Sequence, residues 1–272
     1  TPPPFSSSLR DVSDWLTIHC NWTRLHCMNR YNSLLKLLPL LLLLLLSRSA
    51  FAFPETFEAR YSFIAKGMVL GETQYRLSRA PKGDEAQYRF TTHTEPTGLA
   101  ALLIKKIINE ESYWKWQNGE LRPLQYRYQQ QGKKQKVRGR DFNWVDQSVS
   151  IDENGKQSQL NQLQTGAVDE ALFLIRLMHD LKQQRKELIY PIVKKGKWSQ
   201  YEFTRGPTET IKVPAGTFEA QQIVRKSSGN RSFRLWAAPQ LDYLPVQVEY
   251  REGDGKLFLL KLKQTSITQK TL

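Results

Sequence analysis

Cysteine is nearly absent from this sequence: of its 272 residues only Cys20 and Cys27 are cysteines, and both lie near the start. The chain after Cys27 therefore has no means of forming an internal disulfide, a thiolate metal site or a catalytic thiol. A domain of this size buries enough apolar surface to fold without crosslinks, so the scarcity of cysteine does not argue against an exported protein.

Long hydrophobic runs are also absent, because the most apolar segment, residues 34–46, has 13 residues and contains Lys36 and Pro39. A membrane-spanning helix needs about 20 predominantly apolar residues, so this run is too short to cross a bilayer. A polar segment with one positive charge precedes the run, and the small residues Ala50 and Ala52 follow it, as in a secretory signal peptide. We expect cleavage after Ala52, and the alternative is an uncleaved signal anchor.

This leader divides the sequence into three parts. Residues 28–52, which begin at the first methionine, are the predicted signal peptide, and residues 53–272 are predicted to form one mature domain rich in β-structure. We interpret residues 1–27 as a non-native extension upstream of the true start, with a genuine cytoplasmic extension as the alternative. Because no cysteine follows the apolar run, we predict a periplasmic protein that is not a lipoprotein.

Acidic residues are too few to balance the basic ones, which leaves a net charge of +14. In the cytoplasm such a charge would suggest nucleic acid, but export predicts no nucleic-acid partner and favours contact with an anionic membrane surface. The densest basic run supplies five candidate contacts to anionic headgroups: Lys133, Lys134, Lys136, Arg138 and Arg140. The alternative for this run is a solvated hairpin.

Residues that carry common enzyme chemistry are scarce after residue 52. Only His93 and His179 remain as histidines, and neither has a second imidazole or a cysteine at metal-ligand spacing. Neither a G-x-S-x-G nucleophile elbow nor an H-E-x-x-H metal motif occurs, and neighbouring carboxylates such as Glu110 and Glu111 would point to opposite faces of a strand. We therefore predict no catalytic residue, no metal, no cofactor and no enzymatic activity, with His179 on the surface of a helix.

Short stretches in which apolar and polar residues alternate make up most of the remaining sequence, and this pattern is typical of half-buried strands. The alternation begins at Phe57, and Asn118-Gly119 and Asn154-Gly155 supply hairpin turns. After residue 187 we expect seven further short strands, among them 201–204 and 211–213.

Helical spacing with a wide apolar stripe occurs once, from Ala167 to about Lys186. Such a stripe has to be covered, and a sheet that curls round the helix would cover it. The predicted fold class is therefore mainly β: a single strongly curved antiparallel sheet of about a dozen strands, open or closed into a barrel, wrapped round one long amphipathic helix.

Aromatic residues recur along the predicted strands and are interpreted as the lining of an apolar cavity, with plain core packing as the alternative. The candidate lining residues are Leu102, Leu103, Ile107, Trp114, Trp116, Tyr126, Phe142, Trp144 and Trp236. The segment 99–108 is apolar on nearly every side. We expect it to be either a buried connection or short core helix, or a flap that lies on a ligand or a bilayer.

The last third of the chain carries a family resemblance. KVPAGTFEA at 212–220, WAAP at 236–239 and YLPV at 243–246, together with VDEAL at 168–172, resemble the exported bacterial family catalogued as domain of unknown function 3108. The similarity extends from about Phe57 to Ile267. The resemblance implies an exported, mostly β protein, and it brings no catalytic residues with it.

These observations favour a non-enzymatic periplasmic protein that binds or carries a lipid-like or other hydrophobic ligand in the cell envelope. The alternatives are an envelope assembly or protein-interaction factor with a dry core and, more remotely, a carboxylate-dependent envelope hydrolase. A cavity of several hundred cubic ångströms would favour the first, a long uncovered apolar sheet edge the second, and two carboxylates that converge in a cleft the third.

Overall fold

Strands dominate the computed structural model, which describes residues 54–82, 85–194, 196–227 and 229–270. The predictions for residues 1–52, including the signal peptide and its small residues Ala50 and Ala52, lie outside the described residues. The strands of the first half are β1 Phe57–Ala65, β2 Met68–Arg79, β3 Tyr88–Pro96, β4 Ile107–Gln117, β5 Glu120–Gln131, β6 Lys136–Asn143, β7 Ser148–Glu153 and β8 Lys156–Asn161.

The second half continues the same sheet with β9 Leu188–Lys194, β10 Lys197–Val213, β11 Gly216–Arg225, β12 Ser232–Ala238, β13 Leu244–Arg251 and β14 Leu257–Thr265. The described helices are α1 Ala100–Leu103 and α2 Phe173–Lys182, and the 3-10 turn Pro239–Leu241 connects β12 to β13. Neither helix of this described part has the length and hydropathy that a membrane span requires. All strands pair antiparallel in the order β8-β7-β6-β5-β4-β3-β2-β1-β14-β13-β12-β11-β10-β9, which confirms the predicted mainly β fold and its single antiparallel sheet.

The sheet is open, because β8 and β9 are its two edges and are not neighbours in the strand order of the described chain. The segment after β8 bridges the gap instead. The backbone N–H of Leu163 donates to Gln147 O at 2.9 Å, and the N–H of Val168 donates to Pro191 O at 3.0 Å. A separate apolar cluster seals this seam, formed by Phe142, Val149, Ile151, Leu163, Ala167 and Val193.

Helix α2 has 10 residues, so the prediction of one long helix from Ala167 to about Lys186 is wrong. The predicted apolar stripe is present, because Leu174, Ile175, Leu177, Met178 and Leu181 are all buried. The helix ends early because Gln184 adopts a left-handed conformation with φ 53°. Periodicity therefore located the helix but overestimated its length.

The start of α2 is set by contacts that helical periodicity does not reveal. Val168 forms a parallel bridge with Ile192 of β9, which keeps the chain extended there. One residue later, Asp169 Oδ1 accepts hydrogen bonds from the backbone N–H groups of Ala171 at 2.9 Å and Leu172 at 2.7 Å. A carboxylate that accepts such bonds caps the turn that leads into a helix.

The sheet curls round α2, as its contacts on two distant strands show. The Trp116 ring of β4 lies 4.9 Å from the His179 ring, while Phe173 lies 5.4 Å from Tyr201 and 6.0 Å from Phe203 of β10. Since β4 and β10 are far apart in the strand order, one helix can contact both only if the sheet is strongly curved. His179 is half-buried beneath Trp116, so its predicted place on the helix surface is wrong.

Hairpin connections alternate between the two ends of the antiparallel sheet. One end, which we call the mouth end, carries the turn 66–67, the connection 97–106 with α1, the turn 132–135 and the turn 252–256. The opposite end carries the turn 144–147 and the predicted Asn118-Gly119 turn, whose residues have φ 54° and 75° as a two-residue hairpin requires.

Candidate functional site

A largely apolar cavity of about 470 Å³ lies between the concave face of the sheet and the first residues of α2. Both halves of the sheet contribute to it, so the cavity is a direct consequence of the sheet's curvature. Its apolar wall includes Phe63, Tyr75, Phe90, Ile108, Leu174, Phe233, Val248 and Phe258.

The cavity opens at the mouth end, where Leu70, Pro96 and Ile104 contribute to its wall. A second cavity of about 450 Å³ adjoins it there and shares Leu70, Phe258 and Leu259 with it. Helix α2 runs away from this opening toward the opposite end of the sheet. The strand side chains at the opposite end are therefore covered by the helix, whereas those near the mouth face open space.

Two carboxyl groups, Glu110 and Glu170, line the cavity away from its mouth. Glu110 Oε1 accepts a hydrogen bond from the Tyr126 hydroxyl at 2.7 Å, and its Oε2 accepts one from the Thr92 hydroxyl at 3.1 Å. Burial raises the pKa of Glu110 above its ordinary value, although these hydrogen bonds oppose the rise. Burial also raises the pKa of Glu170, against the opposing charges of Arg140 and Arg138.

Two arginines of the predicted basic run, Arg138 and Arg140, lie next to Glu170. The Arg140 side chain is 0% exposed, pairs with Glu153, and lies 3.7 Å from Glu170 Oε2. Arg138 lies 3.9 Å from Glu170 Oε1 and stacks over the Tyr128 ring at 4.8 Å. Both predicted headgroup contacts are therefore directed into the protein, where they balance buried carboxylates.

The other three members of the basic run are exposed to solvent. Lys133 and Lys134 are exposed in the turn between β5 and β6, and Lys136 is exposed at the start of β6. This turn belongs to the mouth end. These lysines therefore place positive charge at the end of the sheet where the cavity opens.

The cavity wall is built from residues other than the nine predicted ones. Six of the nine are packed in the interior, namely Trp114, Trp116, Tyr126, Phe142, Trp144 and Trp236. Leu102 and Leu103 lie on α1 at the mouth end with 74% and 84% of their surface exposed, and Ile107 is half-buried at the start of β4. Of the nine, Tyr126 contacts the cavity wall directly, because its hydroxyl donates a hydrogen bond to Glu110.

The two histidines lie on separate elements and have local partners. His93 of β3 places its Nδ1 2.6 Å from Asn109 Oδ1, and His179 packs on Trp116. Within the described ranges, no group of three His, Cys, Asp or Glu side chains is arranged to hold a metal ion.

Asp169 gives the fold a pH dependence that can be measured. Burial raises its pKa to about 7, although the Ser112 hydroxyl and two backbone N–H groups donate hydrogen bonds to it. A carboxyl group with a raised pKa in the folded state stabilises the fold fully below its unfolded pKa of about 3.9, and this stability is lost as the pH rises toward 7. We expect the free energy of unfolding to fall by roughly 1 kcal/mol per pH unit over this window.

Asp169→Asn should remove much of that slope, because an amide cannot ionise and its oxygen still accepts the capping hydrogen bonds. Urea unfolding at several values between pH 4.5 and pH 7.5 measures the slope for both proteins. Asp141→Asn, at an exposed carboxylate, serves as the control and should keep the wild-type slope. Parallel curves for the wild type and Asp169→Asn would contradict the expectation.

The part of the chain that resembles known proteins coincides with the sheet. A family model described as "Protein of unknown function (DUF3108)" matches residues 56–263, which extend from β1 into β14. No curated protein matches this chain. Among solved structures, the crystal structure of a beta-barrel-like protein of domain of unknown function DUF1849 from Brucella abortus is similar, with 9% sequence identity, a TM-score of 0.48, and coverage of 79% of this chain and 98% of that chain.

Proposed function

This chain belongs to the DUF3108 family of proteins of unknown function, and we propose that it is a non-enzymatic protein that binds or carries a lipid-like ligand in its apolar cavity. The observation that carries the proposal is the cavity itself. Its volume of about 470 Å³ lies within the range of roughly 300–1,000 Å³ that ligand sites occupy. Export by the leader at residues 28–52 would place this activity in the periplasm.

The surroundings of the cavity suit an amphiphile that enters chain first. Phe63, Phe90 and Phe258 offer an apolar wall to a hydrocarbon chain. Lys106 lines the cavity as well and lies at the mouth end, where it would meet an anionic headgroup. Both oxygens of Glu110 accept hydrogen bonds from the protein, so this carboxyl group needs no polar partner from the ligand.

The two alternatives receive less support from the same residues. An interaction factor with a dry core would not be expected to contain a cavity of this size. In addition, the edge strand β8 carries mostly exposed polar side chains, which make a poor apolar docking edge. Glu110 and Glu170 do share one cavity, as a hydrolase would need. However, Glu110 is held by Tyr126 and Thr92, and Glu170 lies against Arg138 and Arg140.

A titration with dansyl-labelled undecanoic acid tests the proposal on protein purified without detergent. We expect saturable binding of one probe per chain, a blue shift of its emission, and a dissociation constant on the order of 1 µM. Phosphatidylglycerol should displace the probe by competing for the same cavity. Linear, non-saturable fluorescence, or a probe that no phospholipid displaces, would overturn the proposal.

A further inference from the structure

Exposed apolar side chains concentrate at the mouth end. Leu99, Leu102 and Leu103 are 84%, 74% and 84% exposed, and Met68 and Val69 are 60% and 59% exposed. Helix α1 contains no buried residue, so its leucines do not serve the core. An apolar surface of this kind, next to a cavity opening, indicates a contact outside the chain.

Direct contacts join strand β2, the β3–β4 connection and the β5–β6 turn, which carry this surface. The backbone N–H of Thr97 donates to Leu70 O at 3.2 Å, which ties the β3–β4 connection to β2. Gly132 packs so closely on Lys105 that a Cβ atom added to the glycine would lie 2.2 Å from the lysine carbonyl oxygen. The β5–β6 turn is therefore fastened to the same connection. We define the mouth surface as these residues together: Lys66, Met68, Val69, Leu99, Leu102, Leu103, Lys105, Lys106, Lys133 and Lys134.

The lysines of the mouth surface carry positive charge that the described residues leave unpaired. All five are exposed, and no carboxylate of the described chain forms an ion pair with them, in contrast to Lys256, which pairs with Asp254 at 2.5 Å. Glu95 and Glu252 also line the cavity near its mouth, and they reduce the excess of positive charge without removing it. The mouth surface therefore combines five exposed lysines with five exposed apolar side chains at the same end of the sheet.

We infer that the mouth surface docks on an anionic phospholipid bilayer. The lysines would lie at the headgroups, and Leu102 and Leu103 would enter the boundary between headgroups and acyl chains, as interfacial amphipathic segments do. This inference rests on the proposed function and deepens it, because docking brings the cavity opening to a source of lipid. An acidic protein partner would match the charges, but it would give five exposed aliphatic side chains no apolar layer to enter.

Co-sedimentation with vesicles tests the docking, with phosphatidylglycerol–phosphatidylethanolamine vesicles set against phosphatidylcholine vesicles. We expect binding to the anionic vesicles, weaker binding in 0.5 M salt, and little binding to phosphatidylcholine. The double variant Leu102→Glu/Leu103→Glu should reduce the partition coefficient by about tenfold or more, because it places negative charge where the apolar side chains enter the bilayer. Both positions are highly exposed, so the fold should tolerate the changes.

The matched control is Val145→Glu, because Val145 is 91% exposed and lies in the turn at the opposite end of the sheet. It should bind vesicles as the wild type does. An equal loss of vesicle binding in Val145→Glu, or wild-type protein that does not bind anionic vesicles, would overturn the docking. A self-associated wild type that the double variant dissociates, without vesicle binding, would assign the surface to a second copy and also overturn it.

The dansyl probe separates this inference from the proposed function. A double variant that no longer binds vesicles but still binds the probe would support docking through the mouth surface. Wild-type protein that binds the probe but no vesicle would overturn the docking alone. Vesicle binding without any probe uptake would overturn the lipid-binding cavity and leave the docking supported.

Discussion

Replacing Arg140 with methionine should lower the free energy of unfolding by about 3–5 kcal/mol, because it breaks a buried ion pair from one side. The arginine is 0% exposed, pairs with Glu153, and lies 3.7 Å from Glu170. It also donates hydrogen bonds to Gly139 O at 2.7 Å and Asp152 O at 3.2 Å. Methionine fills a similar volume but removes the closer arginine partner of both carboxylates, so Arg138, 3.4 Å from Glu153 Oε2 and 3.9 Å from Glu170 Oε1, has to balance both.

Urea unfolding at pH 7 measures this loss, with Lys136→Met as the control. Lys136 lies four positions earlier on the same strand but is exposed, so its replacement should change stability by no more than about 0.5 kcal/mol. Adding Glu170→Gln to Arg140→Met should recover part of the loss, since one of the two carboxylate charges that Arg140 balanced disappears. A loss below about 1 kcal/mol, or no recovery in the double variant, would contradict the electrostatic explanation.

Replacing Thr94 with tryptophan should weaken binding of the dansyl probe by about tenfold or more, a change that corresponds to at least about 1.4 kcal/mol of binding free energy. Thr94 lies on the cavity wall, where its hydroxyl is 3.0 Å from that of Thr73. An indole at this position occupies space that the ligand needs. The side chain is only half-buried, so the larger residue has room to settle without disrupting the core.

Thr91→Trp provides the matched control on the same strand. Successive side chains of a strand point to opposite faces, and Thr91 lies three positions before Thr94, so it faces the convex side. The control should keep the wild-type dissociation constant, and thermal unfolding should show both variants folded. Unchanged probe binding in Thr94→Trp would mean that the probe does not occupy this cavity.

Local signals in the sequence predicted those features of the fold that depend on a few neighbouring residues. The Asn118-Gly119 and Asn154-Gly155 turns are confirmed, since both pairs adopt the positive φ angles that such turns need. By contrast, the predicted strands 201–204 and 211–213 belong to the single strand β10. Its register shifts between Arg205 and Thr208, and this irregularity lets the strand pass through Gly206 and Pro207 without ending.

The site was harder to predict because alternation tells which face of a strand is buried and not which end of it the helix covers. Trp114 and Phe90 are both buried on the concave face, but Phe90 lines the cavity while Trp114 stacks on Tyr88 at 4.5 Å. The difference arises from where α2 begins, which depends on the Val168 bridge and the Asp169 cap. Both are tertiary features.

In the segment 99–108, one of the two predictions placed apolar residues in the core that are exposed in the structure. Its apolar composition predicted a buried connection or short core helix as one possibility, and the structure places α1 at the surface without a buried residue. Hydrophobicity alone does not distinguish a core segment from one that contacts a partner outside the chain. The alternative of a flap on a ligand or a bilayer agrees with the exposed position of Leu102 and Leu103.

Native mass spectrometry combined with solvent extraction tests the central claim most directly, on protein purified without detergent. A cavity that binds a lipid-like ligand predicts a mass increase near one lipid per chain and a matching lipid in the extract. Thr94→Trp should lack this adduct, and Thr91→Trp should keep it. A bare protein that also fails to take up phospholipids in solution would contradict the claim that the cavity is a lipid-binding site.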